Sequence, residues 1–476
     1  MNTYLSERYL VPVLFLALFV MLFILGYLSE GSFGGADSYV HFRISRYAFK
    51  YPELFLDHWG KPLFTILSSP FSQFGYSGIK VFNILAGLLT AFYSYKIAIE
   101  LKLRNAYLVI FFVSFTPIYL IIHLTGLTEI LFSLVLVLSV YLLIKERHIA
   151  AAIMLSLLPF ARAEGLILLP IFMLAFLLDR KLRALPYMFV GFVVFGFLGW
   201  IVLGDFLWYI NRFPYTGASS IYGSGDLSFF LMSYEKTVGK SLGSLFVLGG
   251  VFALYEFVIN RGVNKSKTFY AVLFLLCLPL LYLALHSVLW WKGIGGSLGL
   301  LRVLAGVSPL AAILSLKGIN LILDKIEPYR LIKYSAIIIV LVYVIKTPFN
   351  IYTLPWQWGQ PEKLVKEAGL WLQNTGHANE MIYYYDPFFC HVLELDPFDK
   401  SVVQEKLSNI EHPEEGVAKN SIVLWDAHFG PNEGRMPLGR LLANPNFELL
   451  IKFVPETPLQ VLGGYDYEIY VFQKIN

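Results

Sequence analysis

The first polar segment of the chain carries an acid and several cations at short spacing. It reads GGADSYVHFRISRYAFKYPELFLDHWGKPLF over residues 34–64, with Asp37 just after two glycines and Arg43 on the short helix that should follow. His58 and Lys61 return an imidazole and an ammonium group to the same segment. A carboxylate can remove a proton from an attacking nucleophile, and cations can hold a phosphate. The segment therefore offers acid–base chemistry beside an anion-binding surface.

A simpler interpretation of this segment is an interfacial helix with a helix-capping aspartate, and Asp37 alone does not decide between the two. Arg43 and Arg46 are three residues apart and can share one helix face, where they would meet phosphate headgroups at the membrane surface. The second cluster, residues 57–62, favours a functional site, because a solvated loop does not need histidine and lysine beside an interfacial tryptophan.

Charge also appears at three further places where the flanking sequence is apolar. Glu129 opens the helix of HLTGLTEILF, Arg162 and Glu164 fill the turn of PFARAEGLILLP, and Arg302 follows the glycine-rich stretch WWKGIGGSLG. Charged groups are costly at membrane depth and usually mark a pathway or a site. Structural explanations also exist: an acid at a helix N-terminus, a self-contained salt bridge, and glycines that let helices pack closely. The glycines do not explain Arg302.

Composition excludes several classes of protein. Of the 476 residues, 57% are hydrophobic and 15% are charged, whereas soluble domains carry about 25% charge. The net charge of +4 gives no support to a nucleic-acid partner. Cys277 and Cys390 fall in an apolar run and in the polar C-terminal part, which argues against a structural disulfide. These features predict a membrane protein.

Apolar runs of the length that a spanning helix requires recur along residues 1–352. They predict an all-α polytopic membrane domain with about eleven transmembrane helices. The first run has no small-residue cleavage site before Glu30, so we interpret it as a retained helix. The runs lie near 10–28, 78–98, 106–122, 127–144, 148–160, 165–178, 184–204, 241–259, 268–288, 302–322 and 334–352.

Basic residues in the short loops predict the orientation of these helices. With the N-terminus in the cytoplasm, every inner loop is basic, provided that 148–160 also crosses the membrane. The segment 29–77, with its interfacial helices, and the tail from residue 353 then lie outside an inner, cytoplasmic membrane. The inner basic residues include Lys96, Lys102, Arg104, Lys145, Arg180, Lys267 and Lys317.

The tail, residues 353–476, differs from the rest of the chain. Pro361 opens a helix in PEKLVKEAGLWLQNT, since proline is favoured in a first helical turn. Short apolar runs follow at 381–385, 422–425 and 469–472, separated by turns rich in Asp, Gly and Pro. This pattern predicts a small extracytoplasmic α/β domain.

Three short motifs resemble a known superfamily. GAD at 35–37, the arginine-containing helix after it, and GKPL at 60–63 are similar to the first outer loop of the aminoarabinose transferase and protein O-mannosyltransferase families. Both families belong to the GT-C superfamily of membrane glycosyltransferases. RAEG at 162–165 resembles the Arg-Pro-Glu-Gly turn of bacterial members. The chain departs from the pattern in having one proline in GKPL and Ser38 where many relatives have a second acid.

The resemblance implies transfer of a sugar from a polyprenyl-phosphate donor to a glycan, lipid or protein acceptor at the outer membrane face. In an inverting displacement a carboxylate takes the acceptor proton, and we expect Asp37, with Glu129 assisting, to be catalytic. A divalent metal, Mg or Mn, shared by Asp37 and Glu129 is compatible with some relatives, although no spaced ligand motif requires one. The expected binding residues for the lipid phosphate and the sugar are Arg43, His58, Lys61, Arg162, Glu164 and Arg302.

Other functions remain open on the sequence. A polymerase or ligase that joins lipid-linked oligosaccharides would need the same residues. A transporter or flippase would also gather charge in a membrane cavity, but it favours paired broken helices in two related halves, which the sequence does not show. A membrane scaffold with an outer binding domain is the third alternative, in which WDAHFGPNEGR at 425–435 binds a ligand or organises turns.

Overall fold

A computed structural model describes residues 2–214, 221–259 and 265–476. Within them, six helices are long and apolar enough to cross a membrane, and three shorter apolar helices accompany them. The six are Tyr9–Leu28, Tyr76–Glu100, Leu182–Leu203, Lys240–Ile259, Lys267–Lys292 and Arg330–Ile351, and the shorter ones are Glu129–Ile144, His148–Ala161 and Gly165–Leu178.

Several of the predicted spanning runs do not form one continuous α-helix. The run near 106–122 forms the helices Leu108–Ser114 and Pro117–His123, because Pro117 has no amide proton for a continuous helix. The run near 302–322 begins as the 3₁₀ helix Leu301–Gly306 and continues as Ser308–Lys325. The number of eleven crossings therefore stays a prediction, while the mostly helical, polytopic architecture is present.

Close helix contacts hold the membrane part together. The helix Tyr76–Glu100 packs against the first helix, Asn2–Leu28, and against Glu129–Ile144. The helix Lys240–Ile259 packs along Ser308–Lys325, where a Cβ on Gly249 would lie 2.1 Å from the Leu314 carbonyl oxygen. Only glycine permits that approach.

The segment after the first helix forms three short helices that cover one end of the bundle. They are Gly35–Tyr47, the 3₁₀ helix Pro52–Leu56, and Pro62–Ser72. The remaining short helices of the membrane part are Trp208–Asn211, Phe229–Met232 and Tyr234–Thr237. Lys265–Tyr270 forms the first turns of the helical stretch that continues to Lys292.

The C-terminal part combines helices with a five-stranded sheet, and the α/β character that the sequence predicts is therefore present. The strands are β1 (Ile382–Tyr384), β2 (Val403–Glu405), β3 (Ile422–Asp426), β4 (Phe447–Phe453) and β5 (Ile469–Lys474). Their order in the sheet is β2-β1-β3-β5-β4, with β2, β1 and β3 parallel and β5 antiparallel to β3 and β4. Helix Gln360–Thr375 precedes the strands, and Phe388–Val392 and Leu438–Leu442 lie between them.

The C-terminal part rests directly on the helix Gly35–Tyr47. Arg43 donates to the Pro387 carbonyl oxygen at 2.5 Å and to the Tyr384 hydroxyl at 2.9 Å, and Tyr39 packs on Phe388 with ring centroids 4.5 Å apart. The expectation that Arg43 faces lipid headgroups is therefore wrong, because its side chain is buried between two parts of the protein.

Candidate active site

Asp37 is held in place by a tight turn and by its neighbour. Gly34 and Gly35 have φ of 86° and 48°, values that glycine adopts at low cost, and they begin the helix that carries Asp37 in its first turn. The fully buried Ser38 hydroxyl accepts from the Gly126 amide at 2.7 Å and bonds to the Tyr76 hydroxyl at 2.6 Å. Ser38 thereby fixes the Asp37 turn against two other parts of the bundle.

Alternating acids and arginines then extend from Asp37 into the membrane part. Arg302 pairs with Asp37, and its Nε lies 3.4 Å from Glu129 Oε1. Glu129 Oε1 also lies 2.8 Å from Arg162 Nη1, and Arg162 Nη2 lies 2.7 Å from Glu164 Oε1. Residues from four separate stretches of sequence thus form one continuous chain of ion pairs.

Burial differs sharply along this chain. The side chain of Glu129 is 0% exposed and those of Arg302 and Arg162 are 9% and 12% exposed, whereas Asp37 is 29% exposed. Of the three acids in these ion pairs, Asp37 is therefore the one that a reacting molecule reaches most easily. Glu129, enclosed by the two guanidinium groups, is suited to orienting them.

Neighbouring groups of opposite charge keep Arg162 and Glu164 ionised. Burial would raise the pKa of Glu164, but the adjacent Arg162 outweighs it and holds that pKa at about 2. Burial would lower the pKa of Arg162, and Glu129 and Glu164 instead raise it well above its usual value. Arg162 and Glu164 therefore stay charged over the physiological pH range.

A further cation, Lys61, and a neutral imidazole, that of His41, lie beside these ion pairs. Lys61, at the start of the helix Pro62–Ser72, is buried, and its ammonium donates to the His58 carbonyl oxygen at 3.1 Å. Burial, and then the charge of Arg162, lower the pKa of Lys61 to about 8. Burial and Lys61 likewise lower the pKa of His41 well below its usual value. The cluster therefore places a third cation, Lys61, beside the two arginines and the three carboxylates.

Two of the expected binding residues lie apart from this cluster. Arg43 points to the C-terminal part, as described above. The His58 ring lies between Trp208 and Tyr209, with ring centroids 4.9 Å and 4.8 Å away. The structure thus brings together Asp37, Lys61, Glu129, Arg162, Glu164 and Arg302, and places Arg43 and His58 in packing positions.

Three tyrosine and histidine side chains near the cluster were not expected from the sequence. Tyr282 and His286, with rings 4.5 Å apart, lie within electrostatic reach of Arg162 and Glu164. Their spacing of one helical turn in an apolar run is the sequence signal that could have identified them. The third, Tyr222, lies near Asp37.

Tyr222 also connects the site to the C-terminal part. Its hydroxyl donates to Glu433 Oε1 at 3.0 Å, and burial together with Glu433 raises the pKa of Tyr222. Glu433 lies in the loop that follows β3. That loop therefore borders the open side of the Asp37 site.

The cluster is poorly arranged for a divalent cation. Arg302 pairs with both Asp37 and Glu129, so a metal ion between these carboxylates would have to displace a guanidinium group. In the described part of the chain, no three or more His, Cys, Asp or Glu side chains are grouped closely enough to hold a metal. Use of Mg or Mn stays a prediction, and no step below depends on it.

Solved structures of other proteins share this fold at low sequence identity. Aminoarabinose transferase ArnT from Cupriavidus metallidurans has a TM-score of 0.63 at 13% identity, covering 98% of both chains. The same enzyme bound to undecaprenyl phosphate gives 0.62 at 12% identity over 96% of this chain and 97% of that one. The Archaeoglobus fulgidus oligosaccharyltransferase gives 0.53 at 13% identity over 87% of this chain and 69% of that one.

No family model and no curated protein matches the sequence. Both structural relatives are GT-C glycosyltransferases. The resemblance seen in the three motifs is thus confirmed in the fold of nearly the whole chain: this protein has the fold of the GT-C glycosyltransferases.

Proposed function

We propose that the protein is an inverting glycosyltransferase that moves a sugar from a polyprenyl-phosphate donor to an acceptor at the outer face of a cytoplasmic membrane. The observation on which this rests is the partly exposed Asp37 at the open end of a buried chain of ion pairs. A fold relative bound to undecaprenyl phosphate supports a lipid-phosphate donor. The N-terminus would lie in the cytoplasm and the C-terminal part outside.

The chemistry follows from the position of Asp37. The acceptor hydroxyl or amine attacks the anomeric carbon of the sugar, and its proton passes to the Asp37 carboxylate. The bond between the anomeric carbon and the phosphate oxygen breaks, and its electron pair leaves with the phosphate. Cations already fixed in a buried site stabilise that developing charge without reorganising. Arg302 and Lys61 supply them.

Arg302 has a second part in this proposal. Without donor it pairs with Asp37, and an incoming phosphate competes for the same guanidinium group. Donor binding would therefore weaken the Asp37–Arg302 pair and leave the carboxylate available as a base. Glu129 and Arg162 hold the other side of Arg302 and keep it in position.

One experiment tests the proposed function directly. The purified protein is incubated with a panel of polyprenyl-phosphate sugars, including polyprenyl diphosphate oligosaccharides, and a native membrane extract, and glycosylated products are identified by mass spectrometry. We expect a product from a single-sugar donor. A product from the oligosaccharide donors alone would favour an oligosaccharide transferase, and no product with any donor would contradict glycosyl transfer.

Donor affinity should depend on the charge of Lys61. Because the pKa of Lys61 lies at about 8, its ammonium is present below that pH and is lost above it. We expect the donor KM to be constant near pH 7 and to rise between pH 8 and 9.5. Lys61→Arg, which keeps its charge over this range, should flatten the profile. An equal rise in that variant would assign the pH dependence to another group.

Gly34 should be needed for the position of Arg302. A Cβ on Gly34 would lie 2.7 Å from Arg302 Nη1, whereas a Cβ on Gly35 meets nothing within 4 Å. Both glycines have positive φ, so alanine at either costs roughly 1–2 kcal/mol. Gly34→Ala should additionally raise the donor KM. The measurement is thermal unfolding and donor titration of both variants, and equal donor KM values would contradict this role of Gly34.

A further inference from the structure

A cavity lies at the opposite end of the membrane helices from Asp37. The helix Tyr76–Glu100 begins at the Ser38 network and ends at this cavity. Its 25 residues extend over about 37 Å at 1.5 Å per residue. The cavity has a volume of about 210 Å³, and it is separate from the candidate active site.

Apolar side chains form the inner wall of this cavity. Leu103, Ala253 and Ile313 contribute from three different elements, and further wall residues come from the segment Ala271–Cys277. That segment is a π-helical stretch within an apolar helix, and such wide turns are frequent at functional sites. The wall is therefore suited to a hydrocarbon chain.

Charged side chains line the same cavity. They are three lysines, Lys102, Lys267 and Lys317, and two glutamates, Glu100 and Glu256. Lys317 pairs with Glu256. Lys267 Nζ lies 3.6 Å from Glu100 Oε2, which is longer than a direct hydrogen bond, and it donates a long hydrogen bond of 3.5 Å to the Glu100 carbonyl oxygen. The cavity thus has more lysines than carboxylates.

A fourth lysine further reduces the negative charge available there. Lys145 Nζ lies 2.9 Å from Glu100 Oε1, so this carboxylate is already neutralised without Lys267. Lys102 and Lys267 are therefore positioned to meet an anion that approaches along the apolar wall.

Lys102 occupies a backbone position that normally favours glycine. It has a φ of 56° just after the helix Tyr76–Glu100, and the Leu103 amide donates to the Ala98 carbonyl oxygen at 2.9 Å. In this helix-ending motif the left-handed residue is usually glycine. Lys102 therefore occupies a position that the backbone alone would favour for glycine.

We propose that this cavity binds an anionic phospholipid, with its phosphate at Lys102 and Lys267 and part of an acyl chain on the apolar wall. Basic pockets between membrane helices on the cytoplasmic side bind acidic headgroups, and the loop charges predict that this end of the bundle is cytoplasmic. A zwitterionic lipid would leave the excess lysine charge unmatched. The proposal does not depend on the proposed transfer reaction.

The test uses a substitution that removes the ammonium and suits the backbone. Lys102→Gly loses the charge at a position that glycine adopts readily, so the protein should remain folded. The full-length protein in detergent is titrated with phosphatidylglycerol and, separately, with phosphatidylcholine, and bound lipid is counted by native mass spectrometry. We expect retained phosphatidylglycerol in the wild type, at least a tenfold weaker affinity in Lys102→Gly, and weak phosphatidylcholine binding in both.

Arg180→Gly provides the matched control. Arg180 follows a helix with a φ of 55°, and the next amide, of Lys181, donates to the Phe176 carbonyl oxygen at 2.8 Å. It has the same charge and backbone position as Lys102 but does not line the cavity. Arg180→Gly should bind phosphatidylglycerol as the wild type does.

Four outcomes would overturn the proposal. Two concern the variants: an equal loss of affinity in Arg180→Gly, and unchanged affinity in the double variant Lys102→Gly with Lys267→Gln. Two concern the ligand: phosphatidylcholine binding as tight as phosphatidylglycerol binding, and displacement of the lipid by inorganic phosphate at a comparable concentration. The last would indicate a site for a small anion.

Discussion

An Asp37→Asn protein should transfer sugar on the order of a hundred to ten thousand times more slowly than the wild type, which is the usual contribution of a positioned general base. Asparagine has the size of aspartate but cannot accept the acceptor's proton. The loss should appear in kcat, with a smaller change in the donor KM, because Arg302 remains available to the phosphate. Single-turnover transfer with a saturating donor measures it.

Two controls separate this effect from a change in folding. The Asp37→Asn protein should keep a wild-type thermal unfolding profile within a few degrees, since Asp37 is the most exposed member of the ion-pair chain. Glu53→Gln, a substitution at an exposed acid in the same segment, should transfer at the wild-type rate. Wild-type turnover in a folded Asp37→Asn protein would refute the assignment of Asp37 as the base.

The second large effect is expected at Arg162. Arg162→Met leaves Glu129, which is 0% exposed, and Glu164 without their main cation, and removing one partner of a buried ion pair typically costs about 3–5 kcal/mol. The variant should therefore unfold at a clearly lower denaturant concentration. Unfolding of the detergent-solubilised protein by sodium dodecyl sulfate measures the change in the free energy of unfolding.

The cause of this loss can be tested separately. Adding Glu129→Gln and Glu164→Gln to Arg162→Met should restore much of the stability, because no uncompensated charge then remains buried. Arg104→Met is the matched control: Arg104 also pairs with two acids, Asp324 and Glu327, but all three are well exposed. It should scarcely change stability. Equal losses at the two arginines would contradict the special position of Arg162.

The structural explanation of the Arg162–Glu164 turn as a self-contained salt bridge is partly correct. The two residues do pair, but Arg162 also reaches Glu129, which lies 33 positions earlier in the chain. A sequence pattern describes only residues that are neighbours along the chain. The sequence of a turn that contains an ion pair is therefore the same whether or not a distant residue also joins that pair.

The sequence alone determined the class of protein and the places where charge interrupts apolar runs. Low charge content and apolar runs of membrane length depend only on local composition, so the helical membrane part was predictable. The helix of the tail and three of its five strands were predictable for the same reason, because short periodic runs between turns have a local signature. Of the two remaining strands, β2 lacks such a run, whereas β4 has one in FELLIKF that the prediction missed.

Only the tertiary structure decided which of the candidate residues meet. Arg43 and His58 have the residue types of binding groups, yet one joins two parts of the protein and the other packs among aromatic rings. Tyr282 and His286 looked like parts of an apolar helix, and they lie within electrostatic reach of Arg162 and Glu164. The rotation of each helix is set by packing with helices distant in sequence. Long-range packing therefore forms the site, and the local sequence indicates only which residue types are available for it.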